Sequence, residues 1–388
     1  MTARASPLVA LLAGCFDPNP QRGQACMAWC PPPESCVAGT CQLVATGDGP
    51  PAIRGNFMFV TSESKAPGAL GGLTGGDDWC NHLAQQSGLP GHYTAWLSSS
   101  TQSAYQRLAA TGARGWYRTD GSPFADTLDD IVKGKMFYPP SYADSGANIS
   151  DIDPLQSELA ATGTNADGSD ATGFDCAGFT STAGTVTTGY IDSGIAQWTA
   201  GGGSGMGGCS IEARIYCFGD TERDYPVTPT APPGARRAFV TQAAHAITNA
   251  GRGALDSACA GDATAAGLSG TFVAWLGVTG SAASARLSSG TPWARLDGVV
   301  VLLADAKTML APLDLDIVGV YHDSSVWTGS QEPDYAPFNA ASDCSDWTSP
   351  NTAVMGISGG TANGHQRAFD IAPGPPCSTP LPVYCVEQ

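Results

Sequence analysis

Two sets of three cysteines with identical spacing constrain this chain more than any other feature. Cys176, Cys209 and Cys217 are 33 and then 8 residues apart, and so are Cys344, Cys377 and Cys385. Sliding the second half over the first brings further recurrences: Phe59-Val60-Thr61 returns as Phe239-Val240-Thr241, Gly88-Leu89 as Gly267-Leu268, Ala95-Trp96-Leu97 as Ala274-Trp275-Leu276, Arg107-Leu108 as Arg286-Leu287, and Asp120-Gly121 as Asp297-Gly298. Cysteine to tryptophan is 16 residues in both copies (80 to 96, 259 to 275), and tryptophan to arginine is 11 (96 to 107, 275 to 286). The chain is therefore read as an internal duplication. Two copies are too few to stack as a solenoid, so each is expected to close a core of its own, which a length of 388 residues allows.

The copies are placed at 55–219 and 237–388. Between them 220–236 is polar and carries Pro226, Pro229, Pro232 and Pro233, the composition of a short, fairly stiff linker. Each copy reads as α+β. An apolar strand opens it (57–61, 238–241), and a helix follows from Asp77, or Asp256 in the second copy, with carboxylates suited to a helix N-terminus and Gly88 or Gly267 as its stop. Buried strands are expected at 93–97 and 272–276, and a last strand carrying the final cysteine at 215–218 and 383–386. The 49 glycines and 28 prolines favour short strands, turns and long loops over a helical bundle.

Thirteen cysteines point to an oxidising compartment or to metal. Metal is the weaker expectation, because none of His82, His92, His245, His322 and His365 stands at ligand spacing from a second histidine. Near the start, Arg4 precedes an apolar stretch that ends in Leu12-Ala13-Gly14-Cys15. This segment resembles a bacterial lipobox, with 1–14 as the signal peptide and Cys15 as the residue that takes a diacylglycerol; an ordinary signal peptide is the alternative. Without Cys15 the cysteine count is even, as a full disulfide framework requires. No apolar run reaches the ~18 residues that span a bilayer, so the lipid would be the sole anchor. The segment 15–54 reads as a lipid-anchored stalk in which Cys26, Cys30, Cys36 and Cys41 form a small disulfide knot, with a four-cysteine zinc site as the alternative.

A formal net charge of −17, with only 18 scattered basic residues, argues against a nucleic-acid partner. Catalytic signatures are missing as well: no Gly-x-Ser-x-Gly or His-Glu-x-x-His occurs, and no histidine recurs between copies, since His82 aligns with Gly261 and His92 with Thr271. No catalytic residue is assigned, and the chain is expected not to be an enzyme.

Taken together, the opening Phe-Val-Thr, Gly-Gly-Leu-Thr-Gly-Gly-Asp-Asp-Trp-Cys over 71–80, Ala-Trp-Leu-Ser over 95–98, Asp120-Gly121, Val326-Trp327-Thr328-Gly329, Cys344-Ser345-Asp346-Trp347-Thr348 and Tyr216-Cys217-Phe218 resemble the endostatin-like branch of the C-type-lectin-like superfamily, as found in bacterial surface lipoproteins. The resemblance covers about four fifths of the chain, 57–218 and 238–386. It implies two tandem disulfide-locked lectin-like domains with nested bridges: Cys80 with Cys217 around Cys176 with Cys209, and Cys259 with Cys385 around Cys344 with Cys377. Spacing alone leaves three pairings open for each set of four. The arginine-rich heparin face and N-terminal zinc histidines of endostatin have no counterpart here.

Sugar-binding members of that superfamily hold calcium on a Glu-Pro-Asn or Gln-Pro-Asp loop. Glu332-Pro333-Asp334 offers Glu332 and Asp334 as calcium candidates, though the first copy has Asn165-Ala166-Asp167-Gly168 instead and an ordinary turn explains both. Cofactors are thus expected to be none, with calcium as the one option. Asn165, Asp167, Asp170 and Asp175 allow either a second calcium loop or an Asx-rich turn. Arg107 and Arg286 either bind a ligand carboxylate or form structural ion pairs with Asp120 and Asp297, and Trp96 and Trp275 are assigned to the core.

The resulting expectation is an exported protein, lipid-anchored at the bacterial cell envelope, outer membrane or cell surface. It would recognise an extracellular protein or glycan through the long loops between Asp120 and Cys176 and between Asp297 and Cys344. The alternatives are a structural envelope lipoprotein without a specific ligand, and a hydrolase with an unrecognised acidic site.

Overall fold

The structure, a computed structural model, describes residues 35–37, 40–42, 55–149, 159–203, 207–371 and 373–388. The chain divides into two units, Met1–Ala52 and Ile53–Gln388. In the first, the described residues are two antiparallel strands, Ser35–Val37 and Thr40–Gln42, with Cys36 in register with Cys41. The leader, Cys15, Cys26 and Cys30 lie outside the described residues.

Inside Ile53–Gln388 the duplication is visible strand by strand. In the first half the opening strand Asn56–Val60 pairs antiparallel with the closing strand Tyr216–Gly219 and parallel with Trp116–Arg118. Tyr93–Ala95 adds to the outer side of the closing strand and Pro123–Ala125 to the far edge, completing five strands. The second half repeats this order and these directions with Phe272–Ala274, Tyr384–Glu387, Arg236–Val240, Trp293–Ala294 and Val300–Leu302. Registers repeat too: Cys217 lies between Phe59 and Ala95, and Cys385 between Phe239 and Ala274.

Alternation along these strands sends side chains to two cores, one on each face of the sheet. Phe59, Ala95 and Cys217 face the long helix Gly72–Gln86 and pack with Trp79, Cys80 and Leu83. Met58, Val60, Tyr216 and Phe218 face the other way and meet Trp96, Trp116 and Trp198. The second half divides in the same manner, Phe239 and Cys385 toward the helix Arg252–Ala265, and Val240, Tyr384 and Val386 toward Trp275 and Trp293.

Both helices begin before the expected aspartates, at Gly72 and Arg252. The preceding glycines, Gly71 and Gly251, take the positive φ that turns the chain into the helix, so Asp77 and Asp256 stand within the helix rather than at its start. The helices end as expected: Gly88 and Gly267 adopt φ of 70°, and Leu89 and Leu268 donate back to the carbonyls of Ala84 and Ala263, closing Schellman motifs.

Among the described residues, four disulfides join Cys80 to Cys217, Cys176 to Cys209, Cys259 to Cys385 and Cys344 to Cys377, nested as the resemblance implied. Such bridges belong to an extracellular or otherwise oxidising compartment. No helix among the described residues is long and apolar enough to cross a membrane. The outer bridge of each half fastens the helix to the closing strand, which lies inside the sheet.

The halves are packed against each other through corresponding turns. Gly194 N–H donates to the Ala362 carbonyl at 2.7 Å, and Gly364 N–H donates to the Asp192 carbonyl at 2.9 Å. Tyr138 of the first half lies within the second half's core, where its hydroxyl accepts from Val300 N–H at 2.9 Å. The proline-bearing segment between the halves runs along the first: Val227 is buried and its N–H donates to Asp126 Oδ1 at 2.9 Å.

Candidate functional site

On the helix side of the first half, three segments leave a cleft of 640 Å³ between them. One wall is the first turns of Gly72–Gln86, which supply Leu73, Thr74 and Asp77; the second is the tight turn Ser99, Ser100, Thr101 and Gln102; the third is the segment Gly173, Asp175, Ala177 and Gly178. Arg107, from the helix Ala104–Thr111, forms part of the floor.

The third wall has an unusual backbone. Cys176, Ala177, Gly178 and Phe179 all have positive φ, at 55°, 53°, 67° and 63°, and form one left-handed turn closed by Phe179 N–H to the Asp175 carbonyl at 2.7 Å. In the second half Cys344, Ser345, Asp346 and Trp347 do the same, at 51°, 58°, 55° and 64°, with Trp347 N–H on the Asp343 carbonyl at 2.7 Å. Each non-glycine residue in this conformation costs about 1–2 kcal/mol, so the surroundings must hold the turn. The inner disulfide anchors its first residue, and Phe179 or Trp347, fully buried, anchors its last. Trp347 also donates from Nε1 to the Gly277 carbonyl at 2.9 Å. Strain retained in this way is a feature of functional loops.

The floor is an ion pair present in both halves. Arg107 Nη2 contacts both carboxylate oxygens of Asp77 at 2.5 Å, and Nη1 donates to the Ala95 carbonyl at 2.6 Å. Arg286 grips Asp256 through Nη1 and Nη2 at 2.8 and 2.9 Å and donates to the Ala274 carbonyl. The partners expected from sequence, Asp120 and Asp297, are corrected here. Those carboxylates are taken by Arg118 and Arg295, two residues before them on the same turn. The Arg107 helix instead lies across the strand Tyr93–Ala95, within reach of the long helix. The signal for the true partner was available, because Asp77 to Arg107 and Asp256 to Arg286 are both 30 residues apart.

Asp77 remains 26% exposed while Arg107 is 7% exposed, so the cleft meets the carboxylate more than the guanidinium. Asp175 is buried at the base of the left-handed turn and accepts from Ser100 N–H at 3.4 Å. The lining therefore offers two carboxylates, the hydroxyls of Thr74, Ser99, Ser100 and Thr101, the Gln102 amide and one committed guanidinium. This set suits a polar ligand that donates hydrogen bonds, with selectivity set by fixed rather than mobile groups.

Other residues singled out in the sequence lie elsewhere. The Glu332 and Pro333 carbonyls accept from Tyr335 N–H at 3.2 Å and Ser284 N–H at 2.8 Å, and Asp334 is 3.7 Å from Lys307 Nζ. Glu332 and Asp334 thus sit on a turn, and among the described residues no group of three or more His, Cys, Asp or Glu is placed to hold a metal ion. Asp167 closes an Asx turn onto Ser169, whose N–H and hydroxyl hold its carboxyl below the usual range. Asn165 and Asp170 belong to the same loop, whereas Asp175 leaves it for the cleft. Trp96 and Trp275 are buried, Trp96 donating from Nε1 to Thr199 Oγ1 at 2.8 Å. His82 and His92 are exposed and bonded to Gln86 and Asp220, and His322 meets Asp316. Of the long loops expected to carry recognition, the 120–176 loop contributes, among its described residues, Gly173 and Asp175.

This chain matches no known family model and no curated protein.

Proposed function

We propose that this is an exported binding protein, tethered to the bacterial envelope through a lipid on Cys15. In this reading it displays two lectin-like domains and recognises an extracellular protein or glycan without transforming it. The observation that carries the reading is the first-half cleft, a concave surface lined by hydroxyls and carboxylates and built on a disulfide-anchored, strained turn. A rigid polar concavity on a covalently pinned scaffold can bind with little ordering cost. The oxidised cysteines fit display outside the cytoplasm, and the acidic balance of the chain fits a surface that repels nucleic acid.

The test is an array of glycans and extracellular-matrix proteins probed with the mature chain, with and without calcium. A ligand of this cleft should lose about tenfold in affinity, roughly 1.4 kcal/mol, in a Thr101→Ala/Gln102→Ala variant. Both residues are exposed and line the rim. An array with no saturable ligand, or ligands indifferent to both substitutions, would reject the reading.

A further inference from the structure

The internal duplication makes the junction between the halves legible residue by residue. The turns that follow Gly189 and Gly359 are equivalents: each glycine lies too close to one carbonyl, that of Trp198 or of Ala368, to carry a Cβ. The same two carbonyls accept from the hydroxyls of Tyr216 and Tyr384. On that alignment Asp192, Ser193, Gly194 and Gln197 correspond to Ala362, Asn363, Gly364 and Arg367. The hydrogen bonds across the junction are exchanged between these equivalents, Gly194 N–H donating to the Ala362 carbonyl and Gly364 N–H to the Asp192 carbonyl. Between them Ser193 and Asn363 form an antiparallel bridge, with the Ser193 hydroxyl 2.9 Å from Asn363 Oδ1, so one position meets its own equivalent. Gln197 and Arg367 both reach into the opposite half. Gln197 Nε2 donates to the Asp323 carboxylate at 3.0 Å, and Arg367 Nη2 to Asp192 Oδ1 at 3.2 Å, with its guanidinium 3.7 Å from the centre of the Tyr190 ring.

We infer that the partner which this module's turn surface fits is a second copy of the module, and that the chain is a fused pseudo-dimer held together by that surface rather than by the segment joining the halves. A contact in which residue i of one unit meets j of the other, while j of the first meets i of the second, is isologous, the pattern of twofold dimers. The position that meets its own equivalent, Ser193 against Asn363, marks the axis. Domains that merely follow one another in a chain have no reason to touch through matching residues, whereas units related by a twofold axis must. Asp192, Ser193, Ala362 and Asn363 are all buried, so the bonds exchanged at the axis are shielded from water and strengthened. Beside the axis the symmetry gives way to a one-sided lock. Tyr138 enters the second half's core, and the buried Arg295 donates from Nη2 to the Met136 carbonyl of the first half at 3.1 Å. None of the four disulfides crosses from one half to the other. Joined domains ordinarily move relative to one another; this surface instead presents both modules at one spacing and orientation. The inference does not depend on what the first-half cleft binds.

The test separates the link from the surface. A specific protease site inserted between Pro233 and Gly234, both exposed, allows the folded, oxidised full-length chain to be cut between its halves. The two pieces are expected to stay together at micromolar concentration, sedimenting with the mass of the whole chain and melting in one transition. Gly364→Ala/Arg367→Ala should weaken the association of the cut pieces by about tenfold or more. A Cβ on Gly364 would stand 2.6 Å from the Asp192 carbonyl oxygen, and Arg367 gives up its reach to Asp192 and Tyr190. Ser193→Cys/Asn363→Cys should form a bridge that keeps the cut pieces in one band on a non-reducing gel. The bonds flanking these two residues are those of the antiparallel pair whose facing Cα atoms stand closest, a geometry that suits a disulfide. Pieces of the unaltered chain that part on cutting overturn the inference, whether or not each stays folded. So does a cut Gly364→Ala/Arg367→Ala chain that holds together as tightly as the unaltered one, or a cut Ser193→Cys/Asn363→Cys chain whose pieces run separately.

Discussion

At the scale of single residues, buried arginines organise this protein. Arg295 is fully buried, hydrogen-bonded to Asp297 and Asp314 and to the carbonyls of Pro312 and Met136. Its first-half counterpart Arg118 has Asp120 and the Pro139 carbonyl, and lies over the rings of Tyr138 and Tyr142. Burial works against the Arg295 charge, but Asp314 and Asp297 outweigh it and hold the guanidinium above its usual range. For Asp314 the balance goes the other way: burial, with repulsion from Asp297, overrides Arg295 and pushes its carboxyl up to about 7. Between the ordinary aspartate range and that value the folded chain keeps a proton that the unfolded chain releases. The stabilisation from this group is complete below about pH 4 and is lost as pH rises through 7. Urea unfolding should therefore show stability falling from pH 5 to pH 8, with a drop on the order of 3 kcal/mol from this carboxyl, and Asp314→Asn should flatten the slope. Identical slopes in the two proteins would contradict the assignment.

At the scale of elements, the left-handed turns are where local preference and tertiary demand conflict. Ala177 has φ 53° and ψ 52°, which a Cβ disfavours. Removing that Cβ relieves strain in the folded chain but adds freedom to the unfolded one, at a cost of up to about 1 kcal/mol. Ala177→Gly is expected to stabilise by up to about 1 kcal/mol, and Ala177→Val to destabilise by about 2 kcal/mol or more, because a β-branched side chain tolerates the conformation least. Denaturant midpoints decide this, and a Val variant as stable as the Gly variant would mean that the turn is not held left-handed in solution. No composition or periodicity marked these residues. The sequence showed Asp-Cys-Ala-Gly-Phe and Asp-Cys-Ser-Asp-Trp beside matched cysteines, and only packing of the terminal ring and the inner bridge selects the strained hand.

At the scale of the whole molecule, the outer bridges span 137 and 126 residues and the inner ones 33 each. Chain entropy alone makes closure of the longest loop worth about 5 kcal/mol and of the shorter ones about 4 kcal/mol. A chain with Cys80→Ala/Cys217→Ala should lose more stability than one with Cys176→Ala/Cys209→Ala. The second variant should instead lose the cleft, because the left-handed turn begins at Cys176. Melting curves of the two variants, read with binding of the cleft's ligand, separate these effects; greater destabilisation by the inner pair would reverse the ranking.

The duplication, the α+β character, the opening and closing strands, the glycine-stopped helices and the oxidising compartment were all written into cysteine spacing, recurring dipeptides and period-two alternation. Each of these is a local or evenly repeating property, so one sequence carries it without reference to a fold. Tertiary structure decided what depends on which surfaces meet: that Arg107 turns to Asp77 rather than Asp120, that four residues twist left-handed, and that Tyr138 crosses into the other half. Leu73 and Gly178 are 105 residues apart in the chain (73 to 178). Nothing in the linear order says that they line one cleft from two walls, and only the disulfide-pinned packing of helix against turn brings them to one place.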